Sequence, residues 1–114
     1  MTEATALSHP SEEDAYQLTE AAVALSRALA TDDKILIADA LDANLQLWVG
    51  IRTLVSKDTH PLPQDVRDNL IRLSHYTAQK TFEIGQAHDA AAIESLINTN
   101  LQIAEGLLEG KDKA

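Results

Sequence analysis

Cysteine is absent, and aromatic side chains are nearly so: one Trp, one Phe and two Tyr in 114 residues. The first absence removes disulfides and thiol catalysis and fits a reducing compartment. The second leaves few rings on which single-stranded nucleic acid could stack. Positive charge is also scarce, with 9 Lys and Arg against 18 Asp and Glu and a formal net charge of −9. Arg27, Arg52, Arg67 and Arg72 are scattered, whereas direct nucleic-acid binding needs a concentrated basic surface. No apolar run approaches the ~20 residues of a membrane span. The opening MTEATALSHPSEED has neither the basic start nor the apolar stretch of a signal peptide, so a cytoplasmic protein without membrane insertion is expected. Glycine is too sparse for a phosphate loop, and His9, His60, His75 and His88 follow no metal-ligand spacing. His60 and His88 read as solvated loop residues, and His75 as a helical residue that packs or snorkels. Ser8-His9 and Ser74-His75 are neighbours in sequence, but a nucleophile and its base are matched in space. The expectation is a non-enzyme without metal or cofactor.

What the chain does have is Ala and Leu at helical spacing. Ala15, Leu18, Ala22, Leu25 and Leu29 recur every three or four residues, which predicts an amphipathic helix over about 11–30. Ser11, followed by three acids, is a plausible N-cap. Thr31-Asp32-Asp33 offers a stop and a new cap, opening a second helix over about 33–56. SKDTHPLP (56–63) is the clearest break: Pro61 disfavours helical geometry at His60, and Pro63 suits the first turn of a third helix. That helix carries Val66, Leu70, Leu73, Thr77 and Ile84 on one face and is expected to end at Gly85. Asp89 caps a fourth, with Ile93, Ile97, Asn100, Ala104 and Leu107 in its stripe and Gly110 at its end. Short connections favour antiparallel neighbours. The prediction is an all-α fold, a small antiparallel bundle of about four helices: a flexible segment over 1–10, one helical domain over 11–110, and a frayed tail over 111–114.

Two stripes contain an amide where a hydrocarbon is expected. The second helix reads Ile37, Leu41, Asn44, Trp48, Ile51 and Val55, and the fourth has Asn100 at mid-stripe. Either each Asn is a satisfied buried amide that sets helix register, or it lines a groove and bonds an incoming helix. If the role is register, replacing either Asn with Leu is expected to preserve or raise stability while blurring uniqueness.

Three motifs in order carry a family resemblance. They are AL..N..LW at Ala40, Leu41, Asn44, Leu47 and Trp48; the LP at Leu62 and Pro63; and LIxxN..I..GL at Leu96, Ile97, Asn100, Ile103, Gly106 and Leu107. In these residues and separations the chain resembles the FlaF family, small cytoplasmic regulators of flagellum biosynthesis in flagellated bacteria. The resemblance covers roughly 35–110, and over 1–34 Tyr16 and the helical pattern are compatible with it. It implies a role in coupling flagellin synthesis to export. One form is a chaperone that binds the helix-forming terminal segments of flagellin; another acts with a further regulator on flagellin translation. An acidic helical chain favours the first, by helix-in-groove capture. The alternative is a structural adaptor, or a self-associating bundle, that docks another cytoplasmic regulator without touching flagellin.

The third helix indicates where a partner would dock. Ile71, Ala78 and Phe82 form a second stripe with His75, at steps of four, three and four. A helix with two apolar faces either sits between neighbours or offers one face to a partner. Trp48 is the further candidate, as core anchor or as interface residue.

Overall fold

The computed structural model describes residues 10–57, 60–87 and 89–113. Four helices follow in order: α1 (Pro10–Thr31), α2 (Lys34–Val55), α3 (Gln64–Ala87) and α4 (Ala90–Lys113). No strand occurs among the described residues, and the all-α bundle is as expected. Residues 1–9 of the expected flexible segment lie outside the described residues, as do His88 and Ala114.

Local chemistry sets the corners. Thr31 Oγ1 donates to the Ala28 carbonyl at 2.7 Å, and Asp32 takes a left-handed φ of 56°, the conformation that commonly terminates a helix. Asp33 then caps α2, its carboxylate accepting from the Ile35 and Leu36 amides at 2.9 and 3.3 Å. Asp89 does the same for α4, accepting from the Ala91 amide at 3.0 Å. Each cap satisfies amides that the first turn leaves unpaired.

Some expected ends differ. α1 already begins at Pro10, so Ser11 lies within its first turn rather than at the cap. Pro63 stands just before α3, where its carbonyl accepts from the Arg67 amide at 3.0 Å. α3 continues through Gly85 to Ala87, and α4 through Gly110 to Lys113. A helical glycine costs only about 1 kcal/mol relative to Ala, and no described glycine adopts the positive φ that would turn the chain.

Packing runs α1 to α2, α2 to α3 and, most extensively, α1 to α4, while α3 and α4 touch least. Two apolar clusters fill the interior. One joins Ala15 and Leu18 to Trp48, Ile51, Val55, Leu70, Ala104 and Leu107. The other joins Leu25 and Ala28 to Ile37, Ala40, Leu41, Ile84, Ile93 and Leu96. The start of one helix thus meets the end of its neighbour throughout, and every adjacent pair is antiparallel. Between the clusters lies a buried polar layer of Asn44, Ser74, Thr77 and Asn100, and α1 supplies the small Ala22 near that level.

At the edge of the first cluster, Asp14 has its pKa raised, by burial first and by the charge of Glu13 second. A carboxyl whose folded pKa exceeds its unfolded one opposes folding when ionised, and that opposition fades as pH falls through the raised value. Asp14→Asn is therefore expected to raise the melting temperature at pH 7. The gain should be under about 1 kcal/mol because the group is partly solvated, and the difference from wild type should narrow in melts at acidic pH.

Candidate functional site

The two amides that interrupt their stripes meet at the centre of the bundle, and both are completely buried. Asn100 Nδ2 donates to Asn44 Oδ1 at 2.7 Å and to the Leu18 carbonyl at 3.2 Å. Its Oδ1 accepts from Trp48 Nε1 at 3.0 Å. One side chain of α4 is thereby tied to α1 and twice to α2. Trp48 is 0% exposed, so it is a core anchor and drops out of the docking face for which it was a candidate. Leu41 is buried in the second cluster beside this network.

The polar layer is unequally satisfied. Ser74 Oγ donates to the Trp48 carbonyl at 3.3 Å. Asn44 Nδ2 and Thr77 Oγ1 have no hydrogen-bond partner. Since α2 and α3 run antiparallel with Trp48 opposite Ser74, one turn further along sets Asn44 and Thr77 at a common level. Asn100 uses both of its polar atoms, whereas Asn44 uses only its carbonyl. The amides are alike in sequence and different in circumstance.

The second stripe of α3 divides by exposure. Ile71 is partly buried against the first cluster, and Ala78 is also half-buried. Phe82 is 70% exposed. On the same side, between α2 and α3, a cleft of about 210 Å³ is lined by Ile37, Ala38, Leu41, Asp42, Leu45, Thr81 and Gly85. Thr81 and Gly85 line the cleft from the same turn of α3 that carries Phe82. Farther along the same flank, His75 is exposed and its Nδ1 lies 3.3 Å from Arg52 Nη1. A largely apolar recess with an exposed aromatic on the adjoining helix turn suits side chains of a docking helix.

The other motif residues take structural places. Leu62 packs against the first cluster, and its carbonyl accepts from Arg67 Nε at 3.1 Å. Gly106 is exposed and lines a shallow cleft between α3 and α4 with Val66, Asn69 and Ile103.

Arg67 escaped the spacing argument, in which it was one scattered cation. It is only 9% exposed. Its Nη1 donates to the Lys57 carbonyl at 3.1 Å and the Val55 carbonyl at 3.5 Å, and its Nη2 to Gln64 Oε1 at 2.7 Å. The guanidinium clamps the chain between α2 and α3. Next to it, His60 Nδ1 accepts from the Leu62 amide at 3.3 Å, and the His60 pKa is lowered by burial and then by the Arg67 charge.

Among the described residues no three His, Asp or Glu come together in a metal-holding group, and no helix is long and apolar enough to cross a membrane. Compared with known proteins, the chain matches the family model described as flagellar protein FlaF over residues 2–107, which takes in α1 as well. No curated protein and no solved structure gives a match.

Proposed function

The chain belongs to the FlaF family of flagellar proteins, and we propose that it serves flagellum biogenesis as a cytoplasmic, non-enzymatic chaperone for flagellin. In this reading it couples flagellin synthesis to export by holding a helical terminal segment of the subunit in the α2–α3 cleft. The observation that carries it is Phe82, the chain's one phenylalanine, 70% exposed on the turn of α3 whose Thr81 and Gly85 line that cleft. An exposed aromatic beside an apolar recess contributes little to the free fold and much to an interface, where aromatic residues dominate binding energy. Ala78 and the outer edge of Ile71 extend the same flank, and Asn44, Asn100 and Trp48 hold the scaffold behind it.

The test is Phe82→Ala, with flagellin affinity and thermal unfolding measured on the same preparation. A hot spot of about 2 kcal/mol predicts a roughly thirtyfold weaker complex. Stability should change by no more than about 0.5 kcal/mol, as for other exposed positions. A folded Phe82→Ala protein that binds flagellin at wild-type strength would remove this face from the mechanism.

A further inference from the structure

A second apolar strip runs along the opposite edge of the bundle. On α1, Tyr16 and Val23 are seven residues apart and 66% and 37% exposed; on α4, Leu101 and Leu108 have the same spacing and are each 43% exposed. At about 100° per residue, Tyr16 and Val23 fall on the flank of α1 away from Ala24 and Ala28, which line the cleft toward α2. They therefore face the α4 side. Leu101 and Leu108 fall on the flank of α4 away from Ser95, whose Oγ meets Tyr76 Oη of α3 at 2.8 Å. They face the α1 side. The antiparallel register, fixed by Asn100 on the Leu18 carbonyl, interleaves the four as Leu108, Tyr16, Leu101 and Val23 along the seam.

Charge on this strip is nearly all of one sign. Glu20 sits between Tyr16 and Val23 on α1, and Glu105 between Leu101 and Leu108 on α4; both are exposed, as is Glu94 one turn before Ile97. None of the three has a basic side chain within ion-pair distance among the described residues. Arg27, one turn beyond Val23, lines the cleft toward α2 together with Ala24 and Ala28. A second copy of this chain would bring Glu20 and Glu105 against their own kind under a net charge of −9, and like charges across an interface disfavour the pairing. A cationic amphipathic helix has the opposite balance.

We propose that the α1–α4 seam docks a basic amphipathic helix of another protein. Its apolar side rests on Tyr16, Val23, Leu101 and Leu108, and its Lys or Arg side chains lie over Glu20 and Glu105. This face lies across the bundle from Phe82, so both can be occupied at once, and it stands independently of the flagellin reading.

The probe is a fluorescein-labelled helical peptide of about five turns, with Leu at every third and fourth position and Lys elsewhere, beside a twin carrying Glu in place of Lys. Anisotropy against the full chain is expected to show binding of the Lys peptide, weakening as salt rises, and no binding of the Glu twin. Leu101→Ser/Leu108→Ser and, separately, Glu20→Lys/Glu105→Lys should each weaken it by about tenfold or more, with Phe82→Ala unchanged. The charge pair leaves the apolar strip intact, so it tests the face even where the Ser pair unfolds. The proposal is overturned if the Lys peptide does not bind, if both peptides bind alike, or if the charge-reversed variant binds at wild-type strength. It is overturned too if sedimentation shows a wild-type dimer that Leu101→Ser/Leu108→Ser dissociates, for the seam would then be a contact between copies.

Discussion

Asn100→Leu is expected to lower unfolding free energy by about 3–5 kcal/mol, while Asn44→Leu changes it by about 1 kcal/mol or less. Spacing alone treats the two amides as equivalent and expects Leu to preserve or raise stability at either. Their bonds separate them. Removing Asn100 strands the Trp48 indole N–H and leaves the Asn44 amide with no partner, since both depend on it. Two buried polar groups then lose water and gain nothing, at about 1–3 kcal/mol each. Removing Asn44 instead eliminates an amide nitrogen that is already unpaired. Asn100 would lose the acceptor of one N–H but retain both the Leu18 carbonyl and the indole, so one unpaired amide replaces another.

Denaturant unfolding of the two single variants and the double variant checks this ordering. The double variant should be more stable than Asn100→Leu alone, because it no longer buries a stranded amide, and the coupling between sites should reach about 1–3 kcal/mol. Adding Trp48→Phe to Asn100→Leu should recover part of the loss by removing the orphaned donor, offset by the smaller ring. Equal costs at the two positions would mean that the amides do not share the network found here.

Much of the fold was legible because its signals are local. Asp33 and Asp89 each act on amides two or three residues away, and the Pro61–Pro63 break follows from backbone geometry at those residues. The helix ends at Gly85 and Gly110 were less readable, since a glycine is only a weak stop and its effect depends on whether the next turn packs. On α4, Leu96 is completely buried while Ile97 is only partly so. A stripe read against one neighbour is thus rotated when the helix faces a whole bundle. The partners of Asn100 lie 52, 56 and 82 residues away, so periodicity could place it on the buried face without showing what it holds. The second stripe of α3 was visible in sequence, but not its division into a half-buried Ile71 and an exposed Phe82, which depends on where α2 lies.

Arg67→Met is expected to cost about 2–4 kcal/mol, with Arg67→Lys between it and wild type. Met preserves much of the buried stem but removes the fork that serves the Val55, Lys57 and Leu62 carbonyls and Gln64. Two of those carbonyls lie at or just past the end of α2, where the helix dipole favours positive charge, and all four acceptors are neutral oxygens. Lys would keep the charge but lose the planar geometry that reaches several oxygens together. His60 reports separately on the charge. Its pKa is lowered by burial and, second, by Arg67, so in Arg67→Met it should rise toward the ordinary histidine value, and in Arg67→Lys it should stay depressed. Because the folded value lies below the unfolded one, the unfolded chain takes up the proton first as pH falls. Stability at His60 is therefore full above the unfolded pKa and declines from there down through the folded pKa; Arg67→Met should flatten that slope. An NMR titration of the His60 ring with urea unfolding of the same variants measures both effects. An unshifted His60 together with wild-type stability in Arg67→Met would show that the clamp contributes nothing to the α2–α3 corner.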